Sequence, residues 1–512
     1  MNAIRLLCVF LLSLPSFIVT KSQTAVYDFE YGSLYYRILS QSDSTIEVAG
    51  GNKSDNGTIV IPDQVTHGDT AYYVVSVADN AFKGHEYRSG ISFGKHVKSI
   101  GKHAFAQIPS LYKVVIPDNI QSIGEGAFYS CSHLSSIHIG AGIDTIPKDA
   151  FWGSAVNDLV IGSNVSYIGE CAFSGLSGKL KSISLPASVK HVGKNAFSHH
   201  MYVTSLDMGQ VEELEEGAFD GLLSLAAIHL PASVKEINGN PFTLCGSTLR
   251  TVTVSPDNEH FYSPASCNAI ISRETNYAVS CFVNTILPEG VLGIDRNAMK
   301  LGNAVRNMVL YLPSTIKVIK ENEFPMYLDK IVIPDLRNWY NIAFYSNPLA
   351  CAHRLFVGDE EVTEIEVPED VTKIYSRCFE GMKNLKRVKF HSKITDIYFS
   401  AFYNCPNIIE VDCDWDVPPI VGGTTFSSSV YDNATLKIPY GRTSYYKYKD
   451  YWSLFKTIEE KGLADEIRPV QTIGNSKPEM RGAEYNLNGQ RVNRSVKGLI
   501  IYEGRKILRK FD

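Results

Sequence analysis

No strong charge of either sign runs through this sequence. Its 49 lysines and arginines stand against 54 aspartates and glutamates, for a formal net charge of -5 at pH 7. A general nucleic-acid-binding role needs a basic face, so that class is excluded. Long apolar runs are equally scarce. Beyond the N-terminal region no stretch approaches the roughly 20 apolar residues of a membrane-spanning helix. Catalytic fingerprints are missing too: there is no GxSxG elbow, phosphate-binding loop or dinucleotide signature. No CxxC pair or Cys/His spacing suggests zinc, and SPDNEH at 255–260 lacks the full pattern of a calcium loop. Neither a metal nor a cofactor is expected. Acidic pairs such as Glu212-Glu213 and Glu360-Glu361 read as solvated loop charge, and His199-His200 has no partner at ligand spacing.

The single apolar run lies at the start. Arg5 precedes Leu6 to Val19, and small and polar residues follow around Ser22, which is the form of a secretory signal peptide over 1–22. Export is therefore expected, to the outside or to the cell surface. Ten cysteines are present, one of them (Cys8) inside that run. Cys131, Cys245 and Cys405 each stand three residues after a phenylalanine, which marks a buried packing slot. Only Cys267 and Cys281 look independent of such a rule and available to pair.

What the sequence has in abundance is repetition. IGKHAF ends at Phe105, IGEGAF at Phe128, IGECAF at Phe173 and VGKNAF at Phe197. With Phe82, Phe151, Phe219 and Phe242 the successive spacings are 23, 23, 23, 22, 24, 22 and 23 residues. A period in this range is the mark of a solenoid. Within a unit, apolar residues recur at Leu111, Val114, Ile116, Ile120 and Ile123, and again at Leu134, Ile137, Ile139, Ile143 and Ile146. The Val-x-Ile piece predicts a short strand stacking on the next at about 4.8 Å per coil. Pro117 follows it and ends the pairing, because proline cannot donate to a ladder. The recurring Ala-Phe is expected to turn closely and to fill the interior with an aromatic spine.

The beat is interrupted twice. A long unit near 243–298 contains strand-like pieces separated by turn residues and predicts a protruding hairpin. A second, near 325–378, holds Trp339, Tyr340, Phe344 and Tyr345 within seven residues. Exposed aromatics at this density mark protein or sugar contacts, because they bury much area at low entropic cost; the bland alternative is that they cover the unit's own core. The outward strand positions Val115, His138, Val160, Ser184, Asp207 and His229 form a second candidate surface, mixed and weakly charged. Function is expected where the beat breaks rather than along the spine.

The remaining organisation follows from composition. Residues 23–60 alternate apolar and polar and predict a β cap with a turn at Gly32-Ser33. The solenoid spans 61–430, and 431–460 close it with a short helix around Trp452 and Phe455. The tyrosines Tyr440, Tyr445, Tyr446, Tyr448 and Tyr451 are expected to pack in that cap. A linker over 461–482 leads to a β-rich tail over 483–512 with a hairpin turn at Asn488-Gly489.

Units of the form IGxxAFxxCxxLxxIxIPxxV, from about Phe82 to Phe426, resemble the BspA-type leucine-rich-repeat proteins of Bacteroidetes. The tail LNGQRV…KGLIIYEGRKILRK is similar to short C-terminal modules of secreted proteins in that phylum, some of them sorting signals. The resemblance implies a leucine-rich-repeat solenoid of 22–24-residue coils with stacked parallel strands, displayed at a surface or secreted. It further implies adhesion or ligand binding, with a protein or glycan partner, and no catalytic residues. A purely structural spacer of the cell envelope is the alternative.

Overall fold

The computed structural model describes residues 27–462 apart from 176–177, 246–247 and 303–304, together with the backbone of four short strands between 484 and 509. The signal segment, most of the linker and the Asn488-Gly489 turn lie outside these residues. The chain divides into two units, 1–460 and 461–512.

The first unit begins with an antiparallel meander, β1 (Phe29–Tyr31), β2 (Leu34–Ser40) and β3 (Thr45–Gly51), whose first turn is at Gly32-Ser33. Strand β3 then pairs in parallel with Thr70–Val77, which pairs with Ser99–Ile100 of the first regular coil. The meander thus covers the open end of the array, where unpaired backbone groups would otherwise face solvent.

Each regular coil contributes two short strands. Lys113–Ile116, Ser136–Ile139 and Asp158–Val160 stack in parallel on one face. Thr145–Ile146, Tyr167–Ile168, His191–Val192, Glu213–Glu215 and Glu236–Asn238 form a second ladder on another. Between them runs the Ala-Phe turn. Phe105 N–H donates to the Ala127 carbonyl at 2.8 Å, Phe128 to Ala150 at 2.8 Å and Phe151 to Ala172 at 2.8 Å. The turn is itself a hydrogen-bonded ladder, and this satisfies backbone groups that the spine would otherwise bury unpaired. The preceding glycine is needed for close approach: a Cβ on Gly124 would lie 2.4 Å from the Lys102 nitrogen of the previous coil.

The phenylalanines from Phe82 to Phe242 are fully buried, and successive rings stack with centroids 5.1 to 5.8 Å apart. Phe379, Phe402 and Phe426 repeat the arrangement at 5.3 and 5.5 Å. Two hydrophobic clusters result, one from Phe29 to Phe282 and one from Cys267 to Phe455. In the cysteine slots, the Cys131, Cys245 and Cys405 thiols donate to the carbonyls of Phe105, Phe219 and Phe379 at 3.2, 3.1 and 3.1 Å. Cys267 and Cys281, the two expected to be able to pair, are free thiols and buried.

The first long unit differs from expectation. Phe261–Tyr262, Ala269–Ser272 and Tyr277–Cys281 are antiparallel, but they do not protrude. Ile270 and Phe282 pack in the first cluster while Ile271 and Ala278 pack in the second, and Tyr277–Cys281 continues in parallel into Gly293–Ile294. Apolar residues on both faces pull the hairpin inward to join the two cores.

The C-terminal end of the unit also corrects a prediction. A helix at Thr443–Lys447 and a 3-10 turn at Trp452–Leu454 precede the last strand, Thr457–Glu460. Of the five tyrosines expected in the cap only Tyr446 is buried, its hydroxyl donating to the Trp415 carbonyl at 3.0 Å. Tyr440, Tyr445, Tyr448 and Tyr451 are exposed, because Trp415, Trp452 and Phe455 already fill the interior. In the second unit, Arg491–Val492, Glu484–Asn486, Gly498–Tyr502 and Arg505–Arg509 form one antiparallel sheet in that order.

Candidate binding surfaces

The outward strand residues come together as three separate ladders. Val115, His138 and Val160 are in register, as are Ser184 with Asp207 and His229 with Thr253. Their polar groups are largely used between coils. His138 Nε2 lies 2.6 Å from Asp158 Oδ2, and His229 Nδ1 lies 3.0 Å from Thr253 Oγ1. Val115 and Val160 stay exposed at 44% and 49%. The face is a self-paired sheet surface with isolated apolar spots.

The aromatic run of the second long unit is not brought together on the surface. Trp339 and Tyr340 end a short helix, Leu336–Tyr340, which Asp335 caps by accepting from the Arg337 N–H at 2.9 Å. Both aromatics are buried. Trp339 Nε1 donates to the Cys378 carbonyl at 2.7 Å, and the ring packs on half-buried Phe344 at 4.9 Å. Tyr340 meets Phe379 edge-on at 5.2 Å. These residues fill the interior where the regular spine lapses, so Trp339 and Tyr340 are withdrawn as ligand contacts. Only Tyr345, 63% exposed, reaches solvent fully.

The surface that periodicity alone did not single out lies over the Ala-Phe turns. The residue after each anchor phenylalanine forms a column: Tyr129, Trp152, Ser174, Ser198, Asp220 and Thr243. Tyr129 and Trp152 stack at 4.6 Å with planes 11° apart. Beyond them the side chains are short, and a groove of about 490 Å³ opens between Trp152 and Leu244. Its floor is polar. Ser174 and Ser198 share a hydroxyl contact of 2.7 Å, and Thr243 Oγ1 donates to Asp220 Oδ1 at 2.5 Å. His199 Nδ1 lies 3.4 Å from Asp220 Oδ2. Burial raises the Asp220 carboxyl pKa above the usual range, against the lowering pull of Thr243, His199 and Lys300.

The far wall of the groove is made by the first break in the repeat. The coil of Met299 stacks directly on that of Phe242: Leu244 N–H donates to the Lys300 carbonyl at 2.9 Å and Asn240 Nδ2 to the Asn297 carbonyl at 3.0 Å. The two lysines along the groove are paired, Lys194 with Glu216 at 3.2 Å and Lys300 with Glu323 at 3.1 Å. A smaller cavity of about 290 Å³, lined by Asn238, Asp295 and Arg296 among others, shares Glu216 with the groove. Comparing the single position after each phenylalanine along the sequence would have shown this column, aromatic at one end and hydroxylic and acidic at the other.

Among the described residues, one cluster has the composition of a metal site. His191 Nδ1 lies 2.9 Å from Glu213 Oε2 and Nε2 lies 3.0 Å from Glu215 Oε1. The Nδ1 contact to Glu213 is a hydrogen bond, whereas the approach of Nε2 to Glu215 is an ion-pair distance only. Tyr167 stacks on the same ring at 4.5 Å.

Stacked parallel strands, a buried phenylalanine spine and a 23-residue beat define a leucine-rich-repeat solenoid. The family model for the BspA type leucine rich repeat region matches in six copies, over residues 64–177, 144–270 and 352–447. More than half of the chain is covered, and the chain belongs to that family. No curated relative matches it. Among solved structures it is similar to a leucine rich cell surface protein from Faecalibacterium prausnitzii A2-165 (22% identity, 75% of this chain and 94% of that one, TM-score 0.46). It is also similar to a leucine-rich repeat protein from Bacteroides ovatus (20%, 85% and 100%, 0.48) and to the pneumococcal vaccine antigen PcpA (18%, 85% and 98%, 0.46). Among the described residues, no helix is long and apolar enough to cross a membrane.

Proposed function

We infer that the chain is an exported, non-catalytic leucine-rich-repeat scaffold that binds a protein or glycan partner at a cell surface. The signal-peptide form of residues 1–22 supports export, and membership of the BspA-type family supports surface display. The observation that carries binding is the groove over the Ala-Phe turns. It is open, about 490 Å³ in volume, and has an aromatic residue at one end of a floor of hydroxyls and a carboxylate. A convergence of this kind is how ligand sites are built.

A purely mechanical spacer would need only the spine and the hydrogen-bonded ladders. The test is an array of matrix proteins and glycans probed with the full chain. The scaffold reading requires saturable, salt-tolerant attachment to a defined ligand. A chain that attaches to nothing saturably is a spacer.

A further inference from the structure

We propose that the groove between Trp152 and Leu244 is a subsite for a short neutral oligosaccharide, which stacks one ring on Trp152 and hydrogen-bonds hydroxyls to Asp220. The proposal rests on the scaffold reading above and gives it a ligand class and an address.

The aromatic end comes first. Tyr129 covers one face of the Trp152 indole at 4.6 Å. The opposite face looks along the column toward Ser174, whose side chain is too short to cover it. Trp152 is half-buried, whereas Trp339, Trp415 and Trp452 are buried. An indole held rigid on one side and open on the other is a platform for the C–H face of a sugar, and it is already ordered before the ligand arrives.

The other end is polar and partly dry. Asp220 is only 7% exposed, and its carboxylate takes one hydrogen bond from Thr243 and faces His199. A carboxylate has room for about four hydrogen bonds, so acceptor capacity remains for a pair of hydroxyls. Ser174 and Ser198 lie between the two ends. Successive spine rings beneath this stretch are 5.2 to 5.8 Å apart. Three such steps set Trp152 and Asp220 roughly 15 Å apart, a span for a short oligosaccharide rather than one sugar.

Charge argues for a neutral ligand. The two lysines beside the groove are each paired with a glutamate, and the buried group on the floor is itself an acid. A sulfate or uronate would meet Asp220 without a free cation to offset it.

The experiment titrates the full chain with neutral gluco- and galacto-oligosaccharides, with heparin and fibronectin alongside, reading intrinsic tryptophan emission and calorimetric heat. Because three of the four tryptophans are buried, an emission shift on binding reports on Trp152. The expected result is saturable binding of a neutral oligosaccharide with a blue shift. Affinity should fall at least tenfold in Trp152→Ala, be largely restored in Trp152→Phe, and fall several-fold in Asp220→Asn, with melting temperatures near wild type. If neutral oligosaccharides bind but all three variants match wild type, the groove is not their site and the proposal is overturned while the scaffold reading stands. Binding of heparin or fibronectin alone overturns the ligand class. If none of these probes binds saturably, the proposal is overturned, while the scaffold reading stands or falls on the wider array of matrix proteins and glycans.

Discussion

Replacing Phe151 by alanine should damage one part of the array and leave another untouched. Phe151 is fully buried between Phe128 at 5.1 Å and Phe173 at 5.3 Å. A buried Phe→Ala change costs about 3–5 kcal/mol, and about 0.5–1.5 kcal/mol of that belongs to each lost ring pair. Neighbouring coils are fastened by backbone hydrogen bonds, so collapse into the cavity is limited and a value near about 4 kcal/mol is expected. The loss should stay local, because each coil touches only its neighbours and the core is divided into two clusters. Hydrogen exchange followed by mass spectrometry reads this directly. Amide protection should fall in the coils of Phe128, Phe151 and Phe173 while the strands Arg387–Phe390 and Glu410–Cys413 keep theirs. Equal loss of protection in those distant strands, or a change under about 1 kcal/mol, would refute the spine as described.

Other consequences follow from the same geometry. Trp339→Ala should cost about 3–5 kcal/mol and leave the Cys378 carbonyl only its longer bond from Asn347 Nδ2 at 3.2 Å, whereas Tyr398→Ala, on a ring 39% exposed, should cost under about 1 kcal/mol in urea unfolding. Burial pushes the His200 and His85 imidazoles below their ordinary pKa, with His200 Nε2 held 2.7 Å from the Phe173 carbonyl. An unfolded histidine takes up its proton near about pH 6.5, so this stability is complete above that value and is lost as pH falls through it. The melting temperature should therefore drop between about pH 7.5 and 5.5, less so in His200→Gln; a flat profile contradicts the assignment. Burial also pushes the Cys131, Cys245 and Cys405 thiols up to about 12. Among the described cysteines, native alkylation should therefore be confined to half-buried Cys171 and Cys351, with Cys267 and Cys281 modified after unfolding without reductant.

The regular coils were legible because a 23-residue period forces the same residue into the same environment many times. One ambiguous position is corrected by its copies, as Phe105 is by Phe128 and Phe151. Where the period stops, that redundancy stops with it. Trp339 and Tyr340 occur once each, and an aromatic cluster has the same composition whether it faces solvent or replaces a missing spine residue. The inward hairpin at 269–281 was hidden for a related reason: alternation reveals a strand, but not which core receives it. The groove was in principle visible, since its column is one repeat position. It was passed over because its residue types change from Tyr129 and Trp152 to Ser174, Ser198 and Asp220, and conserved chemistry is what a repeat reading collects.

The proposed site puts binding on the Ala-Phe turn face beside the first break, rather than on the strand face or the terminal coils. Hydrogen exchange of the full chain, with and without a saturating ligand found on the array, tests it most directly. New protection should be confined to the turns from Trp152 to Lys300. Protection on the ladders of Val115, His138 and Val160, or at the exposed Tyr345, with none over those turns, would contradict it.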